Sequence, residues 1–114
     1  MAAKPPINIQ VKDTSIALSN KTVVNAMRIA IEEDRPILLD YLMPSTNRSA
    51  HIGVRRAKQP DGTFKDTGEK ILVKSAEEYT SNITKTYKCD TEFIVLTENS
   101  IYIISTNIDT VYIS

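Results

Sequence analysis

The last third of the chain most narrows what it can fold into. Phe93-Ile94-Val95-Leu96-Thr97 and Ile101-Tyr102-Ile103-Ile104-Ser105 are dense in β-branched and aromatic residues, and only Glu98-Asn99-Ser100 separates them. That spacing predicts two antiparallel strands joined by a tight turn. Val111-Tyr112-Ile113 is expected to add one more strand, apolar and free of proline, which would make a poor free edge.

Upstream, Ile7, Ile9 and Val11 alternate with Asn8, Gln10 and Lys12, the period-2 pattern of a half-buried edge strand. One amphipathic helix is predicted over about residues 20–34. Ser19 or Asn20 offers the N-cap, and Val23, Met27, Ala30 and Ile31 recur along one face, flanked by Val24 and Ala26. Asn25, Arg28 and Glu32 face away, and Pro36 ends the helix because the residue before a proline is driven out of helical geometry. Ile37–Met43 is apolar on both alternating faces except at Asp40, as expected of a strand covered on two sides. With Pro44–Asn47 as the turn, it is expected to form a hairpin with Ala50–Arg56. Residues 58–68 carry Pro60, Gly62 and Gly68 among polar side chains and read as a long exposed loop, or a small hairpin around Asp61-Gly62. Glu69–Ser75 and Ile83–Lys88 restart strands on either side of a turn at Ala76–Tyr79. The expected architecture is a single α+β domain spanning 1–114, a bent antiparallel sheet of about six or seven strands or a small β-barrel, with one helix across a face or open end.

A chain of 114 residues suits one such domain and is short for two. Its 41% apolar and 25% charged residues exclude collagen-like and disordered classes. Cys89 is the sole cysteine and His51 the sole histidine, so an internal disulfide is impossible and a structural zinc would lack ligands. An intracellular setting is expected, with no membrane segment and no cofactor. Charge balances overall at 14 basic and 14 acidic side chains, but residues 48–74 hold seven basic against three acidic, and residues 75–114 hold two against six.

No catalytic residue is assigned. Cys89 and His51 would be the only thiol–imidazole pair, and Asp90 beside Cys89 disfavours the thiolate. Asp40, set among leucines, needs a partner, for which Arg55 or His51 across the expected hairpin is the natural choice; an acid–base role would need His51 as its second group. Gly53, Gly62 and Gly68 are too widely spaced for a phosphate-binding fingerprint. The candidate surface is the basic segment: Arg48, Arg55, Arg56, Lys58, Lys65, Lys70 and Lys74. Gathered in one patch, these cations would suit a nucleic-acid backbone or an acidic protein; dispersed, they would only solvate the surface. Tyr87 between Lys85 and Lys88 pairs an aromatic with cations, though one tyrosine is no stacking platform, and packing in the core or at an edge is its expected use.

Lys70-Ile71-Leu72-Val73-Lys74-Ser75-Ala76-Glu77-Glu78-Tyr79-Thr80-Ser81, with Thr97-Glu98-Asn99-Ser100-Ile101-Tyr102-Ile103-Ile104-Ser105, resembles the small uncharacterised proteins of large nucleocytoplasmic DNA viruses, in particular the marseillevirus group. The resemblance is one of style over roughly residues 20–106 and includes no catalytic motif. It implies an intracellular viral protein, carried in the virion or made in the infected cell, in host cytoplasm or nucleus. Two functions are expected: a non-enzymatic binding or structural protein that self-associates as a homodimer through sheet edges, or a nucleic-acid-binding module using the basic segment.

Overall fold

The computed structural model describes residues 9–10 and 18–113. Helix α1 (Asn20–Glu33) begins where Ser19, in extended geometry, turns its Oγ back to accept the Thr22 N–H. It ends at Asp34, a left-handed residue (φ 53°) whose N–H bonds to the Ala30 carbonyl, and Pro36 follows. The predicted span holds, but the buried line runs through Thr22, Ala26 and Ala30, while Val24 and Ile31 stay 55% and 41% exposed. Each step along a helix rotates the side chain by about 100°. Small residues on the inner line let the helix approach the sheet closely, which turns the larger flanking side chains outward.

The helix lies on a five-stranded sheet ordered β1-β2-β7-β6-β5: β1 (Ile9–Gln10), β2 (Ile37–Leu38), β7 (Ile101–Ser105), β6 (Glu92–Thr97) and β5 (Ile83–Cys89). The predicted edge strand is present as Ile9–Gln10 at the sheet margin; Ile7 and Val11 fall outside the described residues. The β6–β7 hairpin forms as expected, with Thr97 N–H bonding to the Ser100 carbonyl and Thr97 Oγ1 accepting from Ser100 N–H. Alternation divides its side chains between two cores. Ile94, Leu96, Ile101 and Ile103 meet Ala26 and Ala30 of the helix, whereas Val95 and Ile104 point the other way, toward Tyr41, Ala50 and Leu72. Burial on both faces explains why these strands are apolar at nearly every position.

The second layer is a three-stranded sheet, β4-β3-β8, built from β3 (His51–Lys58), β4 (Phe64–Val73) and β8 (Asp109–Ile113). The molecule is therefore α+β, and its two open sheets replace the barrel alternative. Pairing is mixed rather than antiparallel throughout: β1–β2, β2–β7 and β3–β8 are parallel. Long connections permit this, because β2 and β8 each reach their partner by a crossover rather than a tight turn.

The expected strand over Ile37–Met43 stops at Leu38, and a short helix, α2 (Leu42–Thr46), takes over. Tyr41 and Leu42 are buried there, Pro44 occupies a first-turn position that lacks an intrahelical acceptor, and the Ser45 and Thr46 hydroxyls both bond to the Leu42 carbonyl. Residues 37–43 and 50–56 therefore belong to different layers, and the hairpin expected between them does not form. Residues 58–68, expected as a long exposed loop or a small hairpin around Asp61-Gly62, take the second form, as the tip of the β3–β4 hairpin. Gln59 and Thr63 close it by a backbone bond, Gly62 takes φ +89°, and β4 resumes at Phe64. The side chains there are exposed as predicted, but the backbone is paired with β3.

Glu92 joins the helix to the sheet. The residue is 6% exposed, and its carboxylate accepts from Thr22 Oγ1 (2.7 Å) and Ser19 Oγ (3.1 Å) at the start of α1, and from Thr91 Oγ1. Burial alone would raise its pKa, but these hydroxyl bonds and the Ser19 backbone outweigh it and hold the carboxyl below the usual glutamate range.

Candidate binding surface

The basic segment does not form one patch. Arg48 sits in an exposed left-handed turn (φ 64°) before β3, while Lys58 and Lys65 lie at the other end of that strand, which for eight residues is about 25 Å away. Two of the cations are already paired. Lys74 Nζ lies 3.4 Å from Asp40 Oδ2 and 3.0 Å from Glu78 Oε2, and 4.5 Å from the centre of the Tyr41 ring. Burial would lower the Lys74 pKa, but Glu78 and Asp40 together raise it above the ordinary lysine value. The partner expected for Asp40, Arg55 or His51, is therefore replaced by Lys74, which the turn after β4 brings over the break at residue 40. Arg55 meets Glu69 at 3.4 Å.

Tyr41 and Tyr102 meet edge to face beside the Lys74 cluster, with ring centres 5.3 Å apart. Burial is the first cause raising both phenols above their ordinary range, Tyr41 the further; next come Tyr102 and then Asp40 for Tyr41, and Asp40 for Tyr102. The edge-to-face rings and an ammonium shared by two carboxylates tie the turn after β4 to residues 40 and 41. Cys89 is buried in the helix-side core, and His51 and Asp40 make no hydrogen bond to one another. Among the described residues no group of three or more His, Cys, Asp or Glu could hold a metal ion, and no helix is long and apolar enough to cross a membrane.

Arg56 has a different setting. It is central in the three-stranded sheet, and its guanidinium carbon lies 4.9 Å from the centre of the Phe64 ring on β4 and 4.5 Å from that of Tyr112 on β8. Strand register explains the gathering: Phe64 pairs with Lys58 and Tyr112 pairs with Val54, which flank Arg56 on one face. Phe64 is 49% and Tyr112 58% exposed, so the rings border the cation without leaving the surface. Arg56 Nε is buried with no hydrogen-bond partner. Lys58 and Lys70 share this face by register and are exposed; Asp66, opposite Arg56, turns its Oδ1 to the Gly68 N–H at 2.7 Å. Lys65 pairs with Ala57 and so lies on the reverse face.

On that reverse face, Ile71, Val73 and Ile113 close over Gly53, bordered by Tyr79 and Arg55 in a shallow apolar groove. A side chain at Gly53 would meet Ile113 Cδ1 at 3.0 Å and Val73 Cγ2 at 3.2 Å, so glycine is what lets β8 lie flat there. β8 is an edge strand, and its outer side pairs with no strand among the described residues. Tyr87, expected in core or edge packing, sits 42% exposed on β5, the margin of the other sheet. The two rings and the cation escape a reading of the sequence because Phe64, Arg56 and Tyr112 come from three separate strands; the one local signal is that Phe64 lies within the basic segment. No family model, curated protein or solved structure matches the chain.

Proposed function

We propose that this is a non-enzymatic binding or structural protein that self-associates through the outer edge of β8. The observation that carries the reading is the edge itself. Asp109-Thr110-Val111-Tyr112-Ile113 has neither the lysine nor the proline that guards exposed strand edges, Val111 and Tyr112 are 42% and 58% exposed, and among the described residues no strand pairs with its outer side. Antiparallel pairing with the same strand of a second copy would join two three-stranded sheets into one and satisfy both edges. The paired Lys74, the protonated tyrosines and the buried thiol support a non-catalytic role. An intracellular, virus-encoded setting belongs to the same proposal and is supported by the sequence resemblance.

Sedimentation equilibrium across a range of protein concentrations and salt tests it. The expected result is a dimer that barely responds to salt and is lost in Val111→Lys, whose ammonium would face its own copy across the pair. Because Val111 is exposed, the variant's melting curve should resemble that of the wild-type monomer. A wild-type protein that stays monomeric, or a dimer indifferent to Val111→Lys, refutes the reading.

A further inference from the structure

Two half-exposed aromatic rings hold a guanidinium between them on the outer half of the three-stranded sheet. Phe64, Arg56 and Tyr112 each come from a different strand, so strand pairing rather than a flexible loop fixes their spacing. A guanidinium left as a bare surface charge would be fully hydrated, but this one has given up a partner at Nε to lie against the rings. Lys58 and Lys70 stand on the same face, exposed and free of any ion pair shorter than 4.0 Å among the described residues. Asp66, opposite Arg56 by register, turns one oxygen to the Gly68 N–H, and its single negative charge is outnumbered on this face by Arg56, Lys58 and Lys70.

We propose that this face binds single-stranded nucleic acid, with unpaired bases stacking on Phe64 and Tyr112 and the phosphates running past Lys58 and Lys70. Phe64 and Tyr112 each keep open ring surface on which a base can stack, while Arg56, held between them by its own cation–π contacts, fixes their placement and adds positive charge. Rings that lie on a sheet exclude a stacked duplex, whose bases present only their edges, so the ligand must be single-stranded. Flanking ammonium groups supply the counterion-release term that brings any such strand to the surface. An acidic peptide would use the same lysines but gain nothing from the rings, and the aromatic pair therefore decides between these partners.

The test is fluorescence anisotropy with end-labelled oligothymidine and oligouridine of about 20 nucleotides, beside a duplex of equal length and a polyglutamate peptide, at about 50 and 200 mM salt. Single strands should bind, and weaken as salt rises. Phe64→Leu and Tyr112→Leu, both at exposed sites, should each weaken binding about 5- to 100-fold while circular dichroism stays unchanged. Phe64→Trp should restore or strengthen binding. Lys58→Ala should flatten the salt dependence. The proposal is overturned if single strands do not bind at the lower salt, if the duplex or polyglutamate binds as well as they do, or if the leucine variants bind like the wild type.

Discussion

Replacing Glu92 by Gln removes one negative charge and little else, which makes it a sensitive probe of how the helix is held to the sheet. The amide oxygen can still accept from Thr22 and Ser19, and the amide nitrogen can donate to Thr91, so shape and bond count survive. What is lost is the charge-assisted share of the two bonds at the helix start, about 1 kcal/mol apiece, and the favourable placement of an anion at the N-terminus of α1, roughly 0.5 kcal/mol. Glutamine is also spared the desolvation of a buried charge, which offsets part of that loss, so the expected destabilisation is about 1 kcal/mol, roughly 4 °C in Tm for a domain of this size. Urea unfolding followed by circular dichroism at several pH values would measure it. Because the folded-state pKa of Glu92 is depressed, its contribution is fully present above the unfolded glutamate pKa, about 4.3, and is lost as pH falls through the folded value. Glutamine does not titrate. The gap between the two proteins should therefore be widest at pH 7 and close on acidification. A gap that is absent at pH 7, or one that persists unchanged into acid, would refute the account.

Leu72 bridges the two sheets at 0% exposure, so Leu72→Ala should cost about 2–5 kcal/mol, read as a lower urea midpoint with the slope unchanged; a loss under about 1 kcal/mol would mean that the three-stranded sheet is not packed as described. Asp40→Asn and Lys74→Met should be coupled by about 1 kcal/mol in a double-mutant cycle, since the side chains are 20% and 19% exposed and 3.4 Å apart. Additivity within error would place both charges in bulk water.

The elements legible in the sequence were those fixed by local chemistry. Ser19 and Pro36 bracket α1, and Glu98-Asn99-Ser100 between two β-branched runs determines the hairpin. What was not legible depends on partners far along the chain. Nothing near Ile37 says that it will lie parallel to Ile101, and apolar periodicity alone could not distinguish a strand over Ile37–Met43 from a strand end followed by a buried helical turn. The break at Asp40 was visible as a misplaced charge, but Lys74, its partner 34 residues away, reaches it only once β4 has crossed the sheet. The basic segment was similarly half-legible. A charge count identifies the cations without showing that Glu69 occupies Arg55, that Asp40 and Glu78 occupy Lys74, or that two rings enclose Arg56.

The two halves of β3 separate stability from recognition. Its first half carries Ile52 toward the Leu72 core and Gly53 beneath Ile113, where changes in volume are felt by both sheets. Its second half, Arg55 to Lys58, extends into the open hairpin, where side chains are partly or fully exposed and substitution costs little. Self-pairing of β8 would give this division further meaning. An antiparallel pair is related by a two-fold axis normal to the sheet, so the same face of both copies lies on the same side. Pairing centred on Val111 would set Tyr112 opposite Thr110 of the second copy and bring the two Tyr112 rings into a diagonal relation, about 7–8 Å apart at the backbone. The two ring–guanidinium platforms would then adjoin on one continuous six-stranded face, and a single extended strand could cross both. Edge pairing and base stacking would thus reinforce one another, since a ligand spanning the two platforms binds only the paired form and so stabilises it.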